Sequence, residues 1–582
     1  MKARKLIYTL SVVAALGLTS CGSDFLNTPT DSRVELTTTE QLRMLLVSSY
    51  PQQNYAWPCE LMSDNMEDNN APDEDGLRYN LRPSDRGDDE MFRWDVCVSN
   101  TDNDSPSAIW ESHYNAIAGA NAVLQVLEKW ENEGPLEGEL NLNDEQKAIK
   151  GEALMIRSYC HFILAQVFCH PYRGDAVSEG LLGIPYIKKP ETTVKPNYER
   201  GTLKETYDNI RADLEAGLPL INNSIYEIPK YHFNKSASEA YAARFYLYTR
   251  EYDKCLEHCN NAFGGADVDA SAYMNQVFKH LGNFYYISDF GRFVQGSDKA
   301  RNFMLIATYS TVWRHYVGEA RYGVIRDALN STIHGSSPAW SNFRFKASNG
   351  KGGSFTMHPC FNGCCASNGK AEYGYYYAGN LSEQFEITDK IAGIGYAHVT
   401  RSEFTGEEVL LTRAEAKLFL GDINGALADL QTWELARRES PSAEGQEDLF
   451  RDLTVESIRK FYVDKDPGYG IAKTINIEQI CPSNWSISSP DEMGMLQCIQ
   501  HFRRIEMIHT GMRWFDIKRL GLEFDRKIGK DGQDHLGIFD ERKAIQIPAE
   551  VVAAGIKANP RPSVEDTKLI PSSAYVLVDT KK

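Results

Sequence analysis

Apolar positions recur at helical spacing along most of this chain, and they do so in neighbouring pairs. In AIWESHYNAIAGANAVLQVLEKW, Trp110, Tyr114, Ile117, Leu124 and Leu127 fall on one stripe of 3.6-residue period. In QKAIKGEALMIRSYCHFILAQVF, Ile149, Ala153, Ile156, Cys160, Ile163 and Val167 do the same. The pattern returns in LKETYDNIRADLEAGL followed by SASEAYAARFYLYTREYDKCLEHCNNAF, which has a polar break at Arg250 to Asp253. It returns again in EEVLLTRAEAKLFLGDINGALADLQTWELAR, where GDING joins helices predicted to begin near Glu407 and Ile423. Small residues at the crossing, aromatics around it and a short turn are the habits of tetratricopeptide-type units, although no strict 34-residue register is kept. The predicted fold is mainly α: a tetratricopeptide-like scaffold of helical pairs with long irregular, loop-rich insertions. Trp110, Trp130 and Trp433 lie on the helical stripes and are predicted core.

Two stretches carry a different composition. Residues 50–104 are rich in Asp, Asn, Pro and isolated aromatics, and residues 265–400 in Gly, Ser, Tyr and Trp; neither shows a sustained helical stripe. Loops held on a rigid scaffold are where binding residues concentrate. The chain therefore divides into an N-terminal helical region, 37–264, with its acidic insertion at 50–104, a loop-rich region, 265–400, expected to bind ligand, and a C-terminal helical region, 401–582. All three are read as one unit.

The N-terminus narrows the compartment. Lys2, Arg4 and Lys5 precede an apolar run from Leu6 to Leu18 that is too short to span a bilayer as a stable helix, so residues 1–20 read as an export signal. The run ends in LTSC, the lipobox pattern of bacterial lipoproteins, in which Cys21 is acylated and becomes the first residue. Residues 21–36 then form a lipid-anchored tether. One acyl chain binds a membrane only marginally, whereas several anchor firmly. The formal charge is −18, and the leader is purely basic, so the processed chain is more acidic still. Such a balance repels nucleic acid and anionic lipid.

Candidate chemistry is sparse. HExxH, GxSxG and GxxxxGK[ST] do not occur, and GIGYAH lacks the third glycine of a dinucleotide loop. Acidic pairs such as Asp64 with Asp68, or Asp88 with Glu90, have the residue types of a glycosidase but read as solvated clusters. DNDSPS at Asp102 begins like a calcium loop, yet its sixth position is Ser107 and its twelfth His113, where such loops need Gly and Glu. Removing Cys21 leaves an odd number of the chain's twelve cysteines, which argues against a complete disulfide framework. Cys255 and Cys259, four apart around His258, read as small packing residues of a helix face. MHPCFNGCC, with His358, Cys360, Cys364 and Cys365, lacks a second pair at zinc-finger spacing and reads as a local disulfide. No metal or cofactor is expected.

Six separated blocks spell a family. CGSDFLNTPTDS, IWESHYNAIAGANAVLQVLE, GEALMIRSYCHFILAQVFCHPY, FNKSASEAYAARFYLYTREYDKCLEHCNNAF, EEVLLTRAEAKLFLGDINGALADL and RRIEMIHTGMRWFDIKRLG resemble, in this order, the SusD/RagB-like outer-membrane lipoproteins. The resemblance runs from Cys21 to about Pro560. It implies a surface-exposed lipoprotein of a Gram-negative bacterium that caps a SusC-like TonB-dependent transporter and captures glycans or other nutrients, without catalytic activity or an obligatory cofactor. In the last block, Thr510 replaces the acidic residue usual before Gly511, and His509 is also atypical. From the residues alone, Ile505, Ile508, Met512, Phe515 and Ile517 form its apolar side, Trp514 is core, and Arg513 is placed to pair with Asp516 at i,i+3.

Sugars present an apolar C–H face and a rim of hydroxyls, so a binder needs flat aromatic surfaces beside hydrogen-bonding side chains. The loop-rich stretches offer Trp57, Trp340 and the cluster Tyr373, Tyr375, Tyr376 and Tyr377, with Asp64, Asn65 and Arg78 as polar partners. The alternative readings are a binder of peptide or protein-derived nutrients, which the acidic surface would suit, a structural lid for the transporter, and a surface hydrolase.

Overall fold

The structure is a computed structural model that describes residues 36–68, 86–97, 102–133, 141–191, 198–275, 287–316, 321–324, 327–332, 335–341, 345–348, 354–357, 363–366, 375–378, 381–436, 450–528 and 532–561. Helices dominate it. The first pair is α1 (Pro106–Glu133) and α2 (Asp144–Phe168). Then come α3 (Leu203–Gly217), α4 (Lys235–Thr249) and α5 (Tyr252–Phe263). After the central insertion follow α6 (Gly406–Phe419) and α7 (Ile423–Leu435), then α8 (Val455–Tyr462), α9 (Pro490–Glu506) and α10 (Met512–Leu520). Sequential neighbours pack as pairs, α1 on α2, α2 on α3, α4 on α5 and α6 on α7, as the paired stripes predict.

Local chemistry explains where these helices start. Asn143 with Gln146, Thr202 with Glu205, and Ser489 with Glu492 form reciprocal capping boxes, and Pro490 takes the first helical position after Ser489. Each box satisfies backbone N–H groups that the helix itself leaves unpaired. Between α4 and α5 the chain reverses at Arg250, which holds a left-handed conformation and donates to the carbonyls of Tyr172 and Arg519. Gly151 on α2 and Gly217 at the end of α3 meet so closely that a Cβ on Gly151 would lie 3.0 Å from the Gly217 carbonyl oxygen and 2.7 Å from the Cβ of Leu220. This is the small-residue crossing of a tight helix pair. Cys255 and Cys259 are buried free thiols on α5, consistent with packing residues.

The central insertion holds more regular structure than its composition predicts. Its longer strands are β1 (Asn302–Tyr309), β2 (Phe345–Ser348), β3 (Ser354–Met357), β4 (Gly363–Ala366), β5 (Tyr375–Ala378), β6 (Glu383–Asp389) and β7 (Ile394–Thr405). An antiparallel three-stranded sheet has the order β1-β7-β6, and β2 to β5 form a four-stranded antiparallel meander. The first sheet escapes a periodicity search because most of β1 is buried on both faces and so reads as a continuous apolar run without period-2 alternation.

The arginine-rich segment around α9 and α10 is scaffold. Arg503 donates to Asp516 and to Thr412 of α6, and Arg519 donates to Asp516 at 2.7 Å and to both oxygens of Glu415. The i,i+3 partner of Asp516 is thus Arg519, not the Arg513 expected from spacing. Arg513 instead makes a two-pronged bond, 2.7 and 2.8 Å, to Asp64. Gly511 sits at φ +79°, where a Cβ would come within 3.0 Å of the Tyr55 carbonyl oxygen, and its N–H reaches Glu60 at 3.2 Å. Trp514 is fully buried, and Trp110, Trp130 and Trp433 are core, as predicted.

Candidate functional site

The residues singled out from sequence divide sharply by placement. Trp57 is 3% exposed; its Nε1–H donates to Asp88 at 2.6 Å and its ring stacks on His315 at 4.3 Å. Trp340 is 1% exposed, donates to the Gly335 carbonyl, and stacks on Phe502, which stacks in turn on Trp433. Asp64 is buried under Arg513, Arg504 and Lys473. Asn65 is spent on Arg504 and Glu60. These four side chains hold the interior together and turn no binding face outward in this structure, because each polar atom that would meet a sugar hydroxyl already has a protein partner. The carboxylates weighed as an acid–base pair are likewise committed: Asp68 to Arg321, Asp88 to Trp57, and Glu90 to Arg86. Cys21, Arg78, Tyr373, His358 and Cys360 lie outside the described residues. Tyr375, Tyr376 and Tyr377 form most of β5, paired with β4.

An aromatic surface does occur, on residues outside the set predicted from sequence. Tyr309 closes β1, and Tyr396 and His398 lie on β7. Tyr309 is directly opposite His398, and Tyr396 is two residues further along, so the alternation of strands puts all three on one face. The tyrosine rings meet edge to face, with centroids 5.8 Å apart, and are 38% and 57% exposed. His398 adds a buried Nδ1 that finds no hydrogen-bond partner among the described residues. On β6, Glu386 is opposite Tyr396 and Gln384 opposite His398, which extends the same face with polar groups.

The Tyr309 end is fixed by the acidic insertion. The Tyr309 N–H donates to the Gln52 carbonyl, and Gln53 bonds Asn103 and the backbone of Asp104. Asp104, in a left-handed conformation at φ +65°, accepts from the Ser310 hydroxyl at 2.7 Å and the Thr311 N–H at 2.8 Å. Burial pushes its carboxyl up to about 6, against the pull of those hydrogen bonds. The stretch that resembled a calcium loop is therefore a clamp on the end of β1. Beyond it, the short helix α11 (Val312–Tyr316) carries Arg314, which grips Glu383 of β6 with two bonds of 2.8 and 2.7 Å. The same helix packs against both β5 and β6, so the strand bearing Tyr375, Tyr376 and Tyr377 runs beside the edge of this sheet.

Flat aromatic faces bordered by an amide, a histidine and a carboxylate suit a ligand with alternating apolar and hydroxyl surfaces. Sequence held a faint signal for this face. Phe385 and Ile387 alternate with Glu386 and Thr388, and Tyr396 and His398 alternate with Gly395 and Ala397, a period-2 pattern inside a region read as loop. Among the described residues, no cluster of His, Cys, Asp and Glu is arranged to hold a metal, and no helix is long and apolar enough to cross a membrane.

Comparison with known proteins fits this architecture. Residues 24–247 match the SusD-like family described as "Starch-binding associating with outer membrane". Among curated proteins nothing matches the sequence. Among solved structures, a SusD superfamily protein from Bacteroides thetaiotaomicron is similar with a TM-score of 0.55 at 18% identity, over 90% of this chain and 100% of its own. A putative sugar-binding protein from Bacteroides vulgatus reaches 0.59 at 18% identity, over 91% of this chain and 99% of its own. A SusD superfamily protein from the same species reaches 0.56 at 16% identity, over 90% and 100%. At such identities what is shared with the solved structures is the fold. The family match thus covers the N-terminal part of the chain, and the fold shared with the SusD superfamily structures extends along nearly its whole length.

Proposed function

We propose that this protein is a cell-surface glycan-binding lipoprotein, anchored through Cys21 in the outer membrane, that captures oligo- or polysaccharide and delivers it to a SusC-like TonB-dependent transporter without cleaving it. The observation that carries the binding role is the exposed Tyr309–Tyr396 pair, with His398, Gln384 and Glu386 on the same sheet face. The family description as starch-binding and outer-membrane-associated, and the sugar-binding name of one structural relative, support the carbohydrate class. We extend the face to the Tyr375–Tyr377 strand, which α11 brings alongside.

The test is native electrophoresis of the soluble chain, begun at Gly22, through gels containing single plant, host or microbial polysaccharides, with the same mixtures assayed for shortened products. Retardation by a polymer that is lost in Tyr396→Ala, with no product formed, is the expected result. Retardation unchanged by Tyr396→Ala would move the site elsewhere, and product release would overturn the non-enzymatic reading. A lid or peptide-binding role draws on a different feature of the same hairpin: Phe385, Ile387, Ile391 and Ile394 are exposed around its tip. It gains weight if no polysaccharide retards the protein.

A further inference from the structure

Register divides the four-stranded meander into two unlike faces. Lys346 is opposite Thr356, Thr356 opposite Cys365 and Cys365 opposite Tyr376, so these four residues form one row across β2, β3, β4 and β5. Residues directly opposite each other in an antiparallel ladder share a face, and so do residues two apart along a strand. Ser348, opposite Ser354, and Gly363, opposite Ala378, therefore belong to the same face as the row. The alternate positions pair Phe345 with Met357, Ala347 with Phe355, Cys364 with Tyr377 and Ala366 with Tyr375. That second face has every phenylalanine and methionine of the four strands and no charged residue; the first has the lysine and every serine and threonine.

A half-buried antiparallel sheet alternates apolar-in with polar-out, and a slip of one residue would exchange the two sets. The three consecutive tyrosines of β5 are accordingly not equivalent. Tyr376 belongs to the polar face, and Tyr375 and Tyr377 to the apolar one. Resting on the glycan reading above, we propose that the polar face of the meander is a glycan-binding subsite, with Tyr376 as its aromatic platform and Lys346, Ser354 and Thr356 as its hydrogen-bonding groups, while Tyr375 and Tyr377 belong to the core. A sugar calls for a ring face beside hydroxyl and ammonium groups, which this side of the meander combines. Neighbouring strands lie about 4.8 Å apart, so the row from Tyr376 to Lys346 is about 14 Å long and suits an oligosaccharide rather than a single ring. Helix α11 packs against both β5 and β6, so the Tyr376 end of the row is the one beside the sheet that bears Tyr396.

Single replacements in the soluble chain begun at Gly22 separate the tyrosines, read by thermal unfolding and by retardation in gels of the polysaccharide that retards the unaltered chain. Tyr376→Ala should weaken retardation about fivefold or more and move the unfolding midpoint by less than about 1 °C. Thr356→Val, which keeps the shape and removes the hydroxyl, should weaken retardation about threefold. Tyr377→Ala should instead lower the midpoint by about 3 °C or more. Retardation lost in Tyr396→Ala yet intact in Tyr376→Ala overturns this inference and leaves the glycan reading standing. So does a Tyr376→Ala chain that unfolds several degrees early, which would put that ring in the core, or a Tyr377→Ala chain that loses retardation at an unchanged midpoint, which would exchange the faces. A chain retarded by no polysaccharide overturns the glycan reading, and the subsite falls with it.

Discussion

Trp340 and Tyr396 both lie in the Gly- and aromatic-rich stretch between the helical regions, yet they have opposite fates. Trp340 is sealed between Ser337, Gly335 and Phe502, and its one polar atom is bonded to a carbonyl; Tyr396 stands on a sheet face with more than half of its surface open. The same contrast separates acidic residues. Asp516 and Asp64 each serve two or more buried cations, whereas Glu386 stands exposed beside Tyr396. The scaffold consumes its aromatic and charged groups in internal contacts, and the sheet leaves them available. A residue's type and its loop-like neighbourhood do not distinguish the two; its partners do.

The contrast can be broken most severely from the scaffold side. Asp516→Ala strands Arg503 and Arg519 in the interior with a shortage of carboxylate, so chemical unfolding should show a loss of about 3–5 kcal/mol, enough to leave much of the chain unfolded. Arg519 would retain Glu415, and that residual pairing sets the lower end of the range. Trp340→Ala, which opens a cavity against Phe502, should cost about 3–5 kcal/mol as well while leaving glycan affinity of the folded fraction unchanged. Weakened affinity in that folded fraction would mean that Trp340 contributes to the site after all. Tyr396→Ala should do the reverse. Its ring is more than half exposed and its main aromatic contact is Tyr309, so stability should change by less than about 0.5 kcal/mol. Affinity for the retarding polymer should fall about tenfold, equivalent to losing about 1–1.5 kcal/mol of ring contact.

How much of this was legible before the structure depends on which signal a residue obeyed. Paired 3.6-residue stripes located the helices around Trp110, Ile156 and Leu410, because helix burial leaves a periodic trace in one dimension. The family blocks were equally local. Asp64 was opaque for the opposite reason: its partners Lys473, Arg504 and Arg513 lie more than four hundred positions away, and no pattern within the acidic insertion announces them. Trp57 was opaque in a subtler way, since it lies near the start of that insertion but on a buried turn of helix, Ala56–Met62. Tyr396 and Tyr309 were readable only as halves of a strand pairing, and the burial of β1 on both faces erased the alternation that would have revealed it.

The smallest expected effect lies where the two regions join. Asp104, from the acidic insertion, clamps Ser310 and Thr311 at the end of β1, one residue from Tyr309. Its folded carboxyl titrates near 6, above the 3.8 of an ordinary aspartate, so the folded state holds a proton more tightly than the unfolded state does. Stability from this group is therefore fully present below about pH 3.8 and declines as pH rises through about 6. Asp104→Asn removes the titration and keeps an acceptor for Ser310, and asparagine tolerates the left-handed backbone. It also turns an amide NH₂ toward the Thr311 N–H, which offsets part of the gain. The net change at pH 7 should stay within about 1 kcal/mol, while the slope of stability against pH between about 4 and 6 becomes more positive in urea titrations. An unaltered slope would show that Asp104 is not the titrating group. Polysaccharide affinity falling along with the slope would show that the clamp positions Tyr309, and the scaffold and the binding face would then be coupled through a single carboxylate.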